Sequence, residues 1–243
     1  MNPNQEPRTR TRLRYRKVGP IRFTSHRDVA RIWERSLRRT GLPVAMTEGF
    51  SPRAKLHFGL ALATGYESDA EYLDVDFKGD DVAADEVWSA LVDVLPDGMS
   101  VTGAVVLGPK VMSLQQAVTL CEWDVELFGV TPDDLARWVE QVRGAATLMV
   151  TRERKGRQTT DDLAPQVHAL EVGEPTNRGV RLSAALSTQP RAVRPTELLA
   201  AHEPVYRPVL VRRTRQWIEQ DGARLEPLDV GAAPAQHTLV GVQ

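Results

Sequence analysis

One cysteine, Cys121, stands in a chain of 243 residues. With a single thiol, no intramolecular disulfide, zinc ribbon or three-cysteine iron–sulfur motif can be built, which removes several metalloenzyme classes at once. The sequence also lacks an apolar run approaching the ~20 residues of a membrane span, and its Arg-rich beginning lacks the apolar segment of a secretory signal. These absences predict a cytoplasmic protein with no membrane attachment. Aromatic residues are few, at 6%. No P-loop, dinucleotide fingerprint or serine-hydrolase elbow occurs. What is present, 42% hydrophobic and 26% charged residues, is the composition of a globular chain long enough to bury a core without cross-links.

A formal net charge of -1 conceals a strong segregation along the chain. Residues 1–55 carry 14 Lys or Arg against 4 Asp or Glu, whereas residues 56–100 carry 1 against 11. Arginine outnumbers lysine 26 to 5, which resembles a compositional bias of a source genome, but such a bias does not order charge into two opposed blocks. A basic block facing a polyanion speeds association and releases counterions from phosphates, which makes RNA or DNA the natural partner class. The competing reading is one fold neutralising itself, acidic block against basic block.

Arg12–Arg16 alternates, with Leu13 and Tyr15 on one side and Arg12, Arg14 and Arg16 on the other: a half-buried strand. Ser25 and Asp28 then open a helix in which Val29, Ile32, Trp33 and Leu37 share one face, and Gly41 closes it. Short extended segments at 42–47 and 55–63, a second alternating strand at 71–77, a helix at 82–95 and a strand at 100–107 complete the half. The order is strand, helix, strand, strand, helix, strand. A similar order restarts after a linker at 108–116, with a strand at 119–127, a Thr131-Pro-Asp-Asp134 helix start, strands near 147–154, 166–172 and 179–186, a short helix at 194–201 and a final strand at 205–217. The expected class is α+β, built as two tandem ferredoxin-like (βαββαβ) halves, the second with an added hairpin. Boundaries fall at 11–108 and 117–230, with flexible tails at 1–10 and 231–243.

In such a sheet the first strand is central, so Arg12, Arg14 and Arg16 would project from an open face of the kind that meets single-stranded RNA, with Tyr72 as a stacking aromatic. Alternatively, Asp74 and Asp76 on the neighbouring strand form cross-strand pairs with those arginines. The helix arginines Arg27, Arg31, Arg35 and Arg38 have fewer acids nearby and suit phosphate. In 48–68, Gly49, Gly59 and Gly65 permit close backbone approach, and Ser51, Arg53, Lys55 and His57, two residues apart, would offer donors on one side. A turn and hairpin alone would need only the glycines and Pro52. His26 or His57 could act as general acid or base in metal-free RNA cleavage, but nothing in the sequence brings them to one phosphate. The acidic run Asp69, Glu71, Asp74 and Asp76 suits arginine pairing better than magnesium, and neither metal nor cofactor is expected. Cys121, on the apolar side of a strand, reads as core.

The combination of Arg14-Tyr-Arg-Lys-Val-Gly19, Phe23-Thr-Ser-His-Arg-Asp28, Arg38-Arg-Thr-Gly-Leu-Pro43, Gly49-Phe-Ser-Pro-Arg53 and Leu62-Ala-Thr-Gly-Tyr-Glu-Ser68 resembles the bacterial radical-SAM-linked protein family, a domain of unknown function. The resemblance covers about the first 200 residues, more weakly in the second half. Members of that family occur as separate chains or fused to a radical-SAM module, some beside ribonuclease E/G genes. The resemblance therefore implies a radical-SAM enzyme or ribonuclease E/G-type partner in RNA processing or modification. This chain, with one cysteine, cannot itself hold the radical-SAM cluster. The doubled ferredoxin-like order is also similar, at fold level alone, to the CRISPR repeat-processing endoribonucleases.

Three functions follow as expectations. The first is an RNA-binding accessory protein, without catalysis of its own, that presents RNA to a separate enzyme. The second is a metal-independent endoribonuclease using His26 or His57. The third is a protein-interaction adaptor with no nucleic-acid ligand.

Overall fold

The computed structural model describes residues 8–154 and 156–238. The chain is mixed α+β, rich in strands and with few helices, and divides into two compact units. Unit one comprises the residues up to Val118 together with those from Ile218 onward; unit two is Thr119–Trp217. The first unit thus recruits a C-terminal segment that the sequence order assigned to the second half and to a tail. No helix among the described residues is long and apolar enough to cross a membrane.

Unit one opens with β1 (Arg8–Lys17), followed by α1 (His26–Thr40), β2 (Leu56–Phe58), β3 (Glu67–Lys78), α2 (Ala84–Leu91), β4 (Met99–Leu107) and the single turn α3 (Leu114–Ala117). Strand β1 lies between β3 and β4, antiparallel to both, and β2 pairs with β3. Arg8–Arg10, expected in a loose tail, begin β1 because Thr9 and Arg10 continue its register against Phe77 and Asp76. One face of this sheet carries Leu13, Tyr15, Leu73, Val75 and Phe77, which pack with Val29, Trp33 and Leu37 of α1 and Val87 and Leu91 of α2. Fully burying a side chain such as Leu37 contributes about 1.5–3 kcal/mol, so this interface fixes which face of α1 turns outward.

The other face was expected to be open, and it is covered. Tyr72, Ala70, Val105 and Leu107 form a second apolar cluster with Leu114 and Leu228. Gly103 of β4 leaves the space that Leu228 enters, since a Cβ there would stand 2.5 Å from a Leu228 methyl. Beyond Leu228 the chain forms β12 (Ala232–Thr238), paired with β4, where a tail was expected. Residues 1–7 and 239–243 of the two expected tails lie outside the described residues.

Unit two runs β5 (Leu120–Leu127), α4 (Pro132–Gly144), β6 (Met149–Arg154), β7 (Arg157–Asp162), β8 (Val167–Thr176), β9 (Gly179–Ser187), α5 (Pro195–Ala200) and β10 (Pro208–Gln220). Its strands are ordered β10-β5-β9-β8, and β6 and β7 form a separate two-stranded hairpin. The last three residues of β10 belong to unit one, where they pair with β11 (Ala223–Leu225). Thr131 caps α4 by accepting from the Asp134 amide, and Leu135, Trp138, Val139 and Val142 make its buried face. Cys121 is buried on β5.

Candidate nucleic-acid interface

Four arginines of β1, Arg10, Arg12, Arg14 and Arg16, are paired with carboxylates. Arg12 is wholly buried: its Nε and Nη2 donate to the two Asp74 carboxylate oxygens at 2.7 and 2.9 Å, and Nη1 donates to the Pro227 carbonyl at 3.0 Å. Arg10 donates to both Asp76 oxygens, at 2.6 and 3.1 Å. Arg14 pairs with Glu226 at 3.0 Å and Arg16 with Asp69 at 2.8 Å. The Asp76 hydrogen bond holds the Arg10 pKa above its usual value. For Asp76 itself, burial pushes the pKa up, but the Arg10 hydrogen bond and charge, aided by His57, overcome it and leave the carboxyl below its ordinary range.

Tyr72 is corrected in the same way. It is 2% exposed and stacks on no ligand surface, because the Glu226–Leu228 stretch and α3 close over the face it points to. Its phenol is pushed well above the ordinary tyrosine value by burial. Arg12 and Tyr72 therefore have no surface to offer a ligand, and of the pairs expected with Asp74 and Asp76 only Arg12–Asp74 forms, since Arg14 and Arg16 pair with Glu226 and Asp69 and stay partly exposed.

On α1 the outcome is opposite. Ser25 Oγ accepts from the Asp28 amide at 3.2 Å and donates to the Asp28 carboxylate at 2.7 Å, a reciprocal cap that fixes the first turn. That hydroxyl contact, with Arg31 nearby, holds the Asp28 carboxyl below its ordinary range. Gly41 ends the helix at φ 75°, a left-handed conformation that favours glycine. Between the caps, Arg27, Arg31, Arg35, Arg38 and Arg39 are all exposed. Intervals of four, four and three residues align the first four along one stripe. Arg31 lies 3.2 Å from Asp28, with both side chains about half in solvent, so this pair constrains it little. Arg27, Arg35 and Arg38 form no ion pair with the described residues.

A groove of about 360 Å³ runs beside that stripe. Arg31, Glu34 and Arg38 come from α1, and Met46, Ser51 and Arg53 from the segment that leads to β2; Leu37 and Val44 also line it. The 47–53 loop is closed by two bonds, from the Thr47 amide to the Arg53 carbonyl (2.8 Å) and from the Arg53 amide to Thr47 Oγ1 (3.0 Å). It is anchored to β3 through Ala45 and Lys55, which bond the Asp76 backbone on either side. Three cations against one carboxylate make the groove cationic and open to solvent.

Alternation does not carry Lys55 and His57 into this groove. Period-two facing holds only within a strand, and β2 begins at Leu56, so Ser51 and Arg53 are turn residues governed by the loop instead. His57 Nε2 lies 3.3 Å from Arg10 Nη2 and 3.4 Å from Asp76 Oδ2. His26 instead meets Phe58 edge-on, with ring centroids 5.0 Å apart. Because His57 and Phe58 are consecutive on β2 they point to opposite faces, and the two histidines do not converge as an acid–base pair. Gly59 does supply a close approach: its amide donates to the Tyr72 carbonyl at 3.1 Å, where a Cβ would stand 3.3 Å from that oxygen. The acidic run is likewise occupied, with Asp69, Asp74 and Asp76 all bound to arginine.

The exposed loop aromatic Phe50 was not picked out as a ligand contact from the sequence. Its exposure, 110% of the reference value, is an outcome of the turn, and the only sequence signal was its place between Gly49 and Ser51.

Structure and site thus define a mixed α+β chain with a cationic groove on its first helix. The chain belongs to the family described as "Uncharacterized protein conserved in bacteria (DUF2344)", which it matches over residues 10–195. No curated protein matches it. Among solved structures it is similar, at 16% identity and a TM-score of 0.44, to a chain of a Cbf5-Nop10-Gar1 complex. The match covers 85% of this chain and 48% of that one, so the chain spans about half the length of that relative. A likeness of that degree carries no argument about activity.

Proposed function

We propose that this protein is a cytoplasmic RNA-binding accessory factor that holds RNA through α1 and the 47–53 loop for a separate enzyme. The observation that carries the reading is the convergence of Arg31, Arg38, Ser51 and Arg53 on one solvent-facing groove, flanked by Arg27 and Arg35, which form no ion pair with the described residues. Guanidinium groups free of carboxylate partners are the ones available to replace phosphate counterions. The five motifs quoted above support a radical-SAM or ribonuclease E/G-type enzyme as the partner in RNA processing or modification. The strand orders β4-β1-β3-β2 and β10-β5-β9-β8, with β6 and β7 as an added hairpin, support tandem ferredoxin-like halves.

The test is the salt dependence of RNA affinity. Log affinity falls linearly with log salt, and Arg31→Gln with Arg35→Gln flattens that slope by roughly 1.4 for a single strand or roughly 1.8 for a duplex. A slope near zero in the unaltered protein rejects the reading.

A further inference from the structure

The ring of Phe50 is fully exposed on a loop whose backbone is closed by the Thr47 and Arg53 hydrogen bonds. Gly49, at φ 122°, makes the turn that presents it. Phe50 directly precedes Ser51 and Pro52, which line the groove that holds Arg31, Arg38 and Arg53, so it stands on the loop at the groove's rim. Two other exposed phenylalanines serve as comparison: Phe23 has the Arg22 guanidinium 4.8 Å from its ring centre, and Phe128 precedes the Gly129 turn, beside a groove whose Arg137 is paired with Asp134. Among the exposed phenylalanines of the described residues, Phe50 combines a free aromatic face with nearby cations, of which Arg38 and Arg53 form no ion pair there.

We propose that the occupant of this groove is single-stranded RNA, with one unpaired base stacked on Phe50 and the neighbouring phosphate held by Arg31, Arg38 and Arg53. The inference rests on the RNA-binding reading and names its ligand class. A stack on an aromatic face requires a base free of its pair, and a duplex hides those faces between neighbours. Val44 and Met46 supply apolar surface against which a ribose can pack, and Ser51 Oγ is a donor for a phosphate oxygen. Glu34, the one carboxylate lining the groove, can accept from a base amine or a 2′-hydroxyl.

The experiment measures affinity of the full chain for an unstructured 12-nucleotide RNA and for the same sequence as a duplex, across a salt series. Unaltered protein, Phe50→Ala, Phe50→Leu and Phe50→Trp are compared. The expected result is a loss of about tenfold for the single strand in both Phe50→Ala and Phe50→Leu, retention in Phe50→Trp, and no change for the duplex or in the salt slope. Full affinity in Phe50→Ala, or its recovery by Phe50→Leu, overturns the stacking, the second because a merely apolar contact would then suffice. In either case a persisting salt slope leaves the RNA-binding reading standing. No binding of either RNA at low salt brings down both.

Discussion

Arg10, Arg12, Arg14 and Arg16 on β1 and Arg27, Arg31, Arg35 and Arg38 on α1 belong to one basic block of sequence, and the fold gives them opposite fates. Each strand arginine faces a carboxylate at 3.0 Å or less, and Arg12 has no exposed surface. The helix arginines stand in solvent with one weak pair among them. A strand between two others must satisfy its side chains within the sheet, whereas a helix packed by one face leaves the other to water. Net positive charge in a sequence is therefore a statement about ligands only for the part that the fold does not neutralise.

The largest expected effect lies on the strand. Asp74→Ala leaves the Arg12 guanidinium buried without its partner and is expected to cost about 3–5 kcal/mol of unfolding free energy in urea, while Arg12→Met with Asp74→Leu recovers most of it. An intact protein after Asp74→Ala would mean that Arg12 is not held as described. Next comes Ser25→Ala, which removes the α1 cap and lowers stability by roughly 1 kcal/mol. Thermal unfolding with a normal transition and a reduced midpoint checks that.

A smaller effect separates the two regions by pH. The Asp76 carboxyl is depressed in the folded protein, so its contribution is present above the unfolded carboxylate value of about 3.9 and is lost as pH falls through the folded one. Asp76→Asn should flatten the fall in melting temperature below about pH 4, whereas Arg35→Gln should leave that profile unchanged. Smallest of all in stability, Arg31→Gln with Arg35→Gln should shift unfolding free energy by no more than about 0.5 kcal/mol while altering RNA binding. A large destabilisation there would assign the helix arginines a structural role.

Helix α1 was legible from the sequence because its signals are local: the Ser25 and Asp28 cap, the Val29, Trp33 and Leu37 spacing and Gly41 all act within one element. The pairing of β1 arginines with Asp74 was legible as one of two alternatives, since both strands alternate with the same period. What decided between them lies far along the chain. Arg12 reaches the Pro227 carbonyl and Tyr72 packs with Leu228, contacts that no periodicity in residues 1–110 announces. The groove was half legible: Ser51 and Arg53 were found, but Lys55 and His57 were added by extending strand alternation into a turn.

The comparison is tested most directly by measuring the salt slope of RNA affinity for two double variants side by side, Arg31→Gln with Arg35→Gln and Arg14→Gln with Arg16→Gln. The helix pair is predicted to flatten the slope by roughly 1.4–1.8 and the strand pair to leave it unchanged. A flattening confined to the strand pair would contradict the assignment of the ligand to α1.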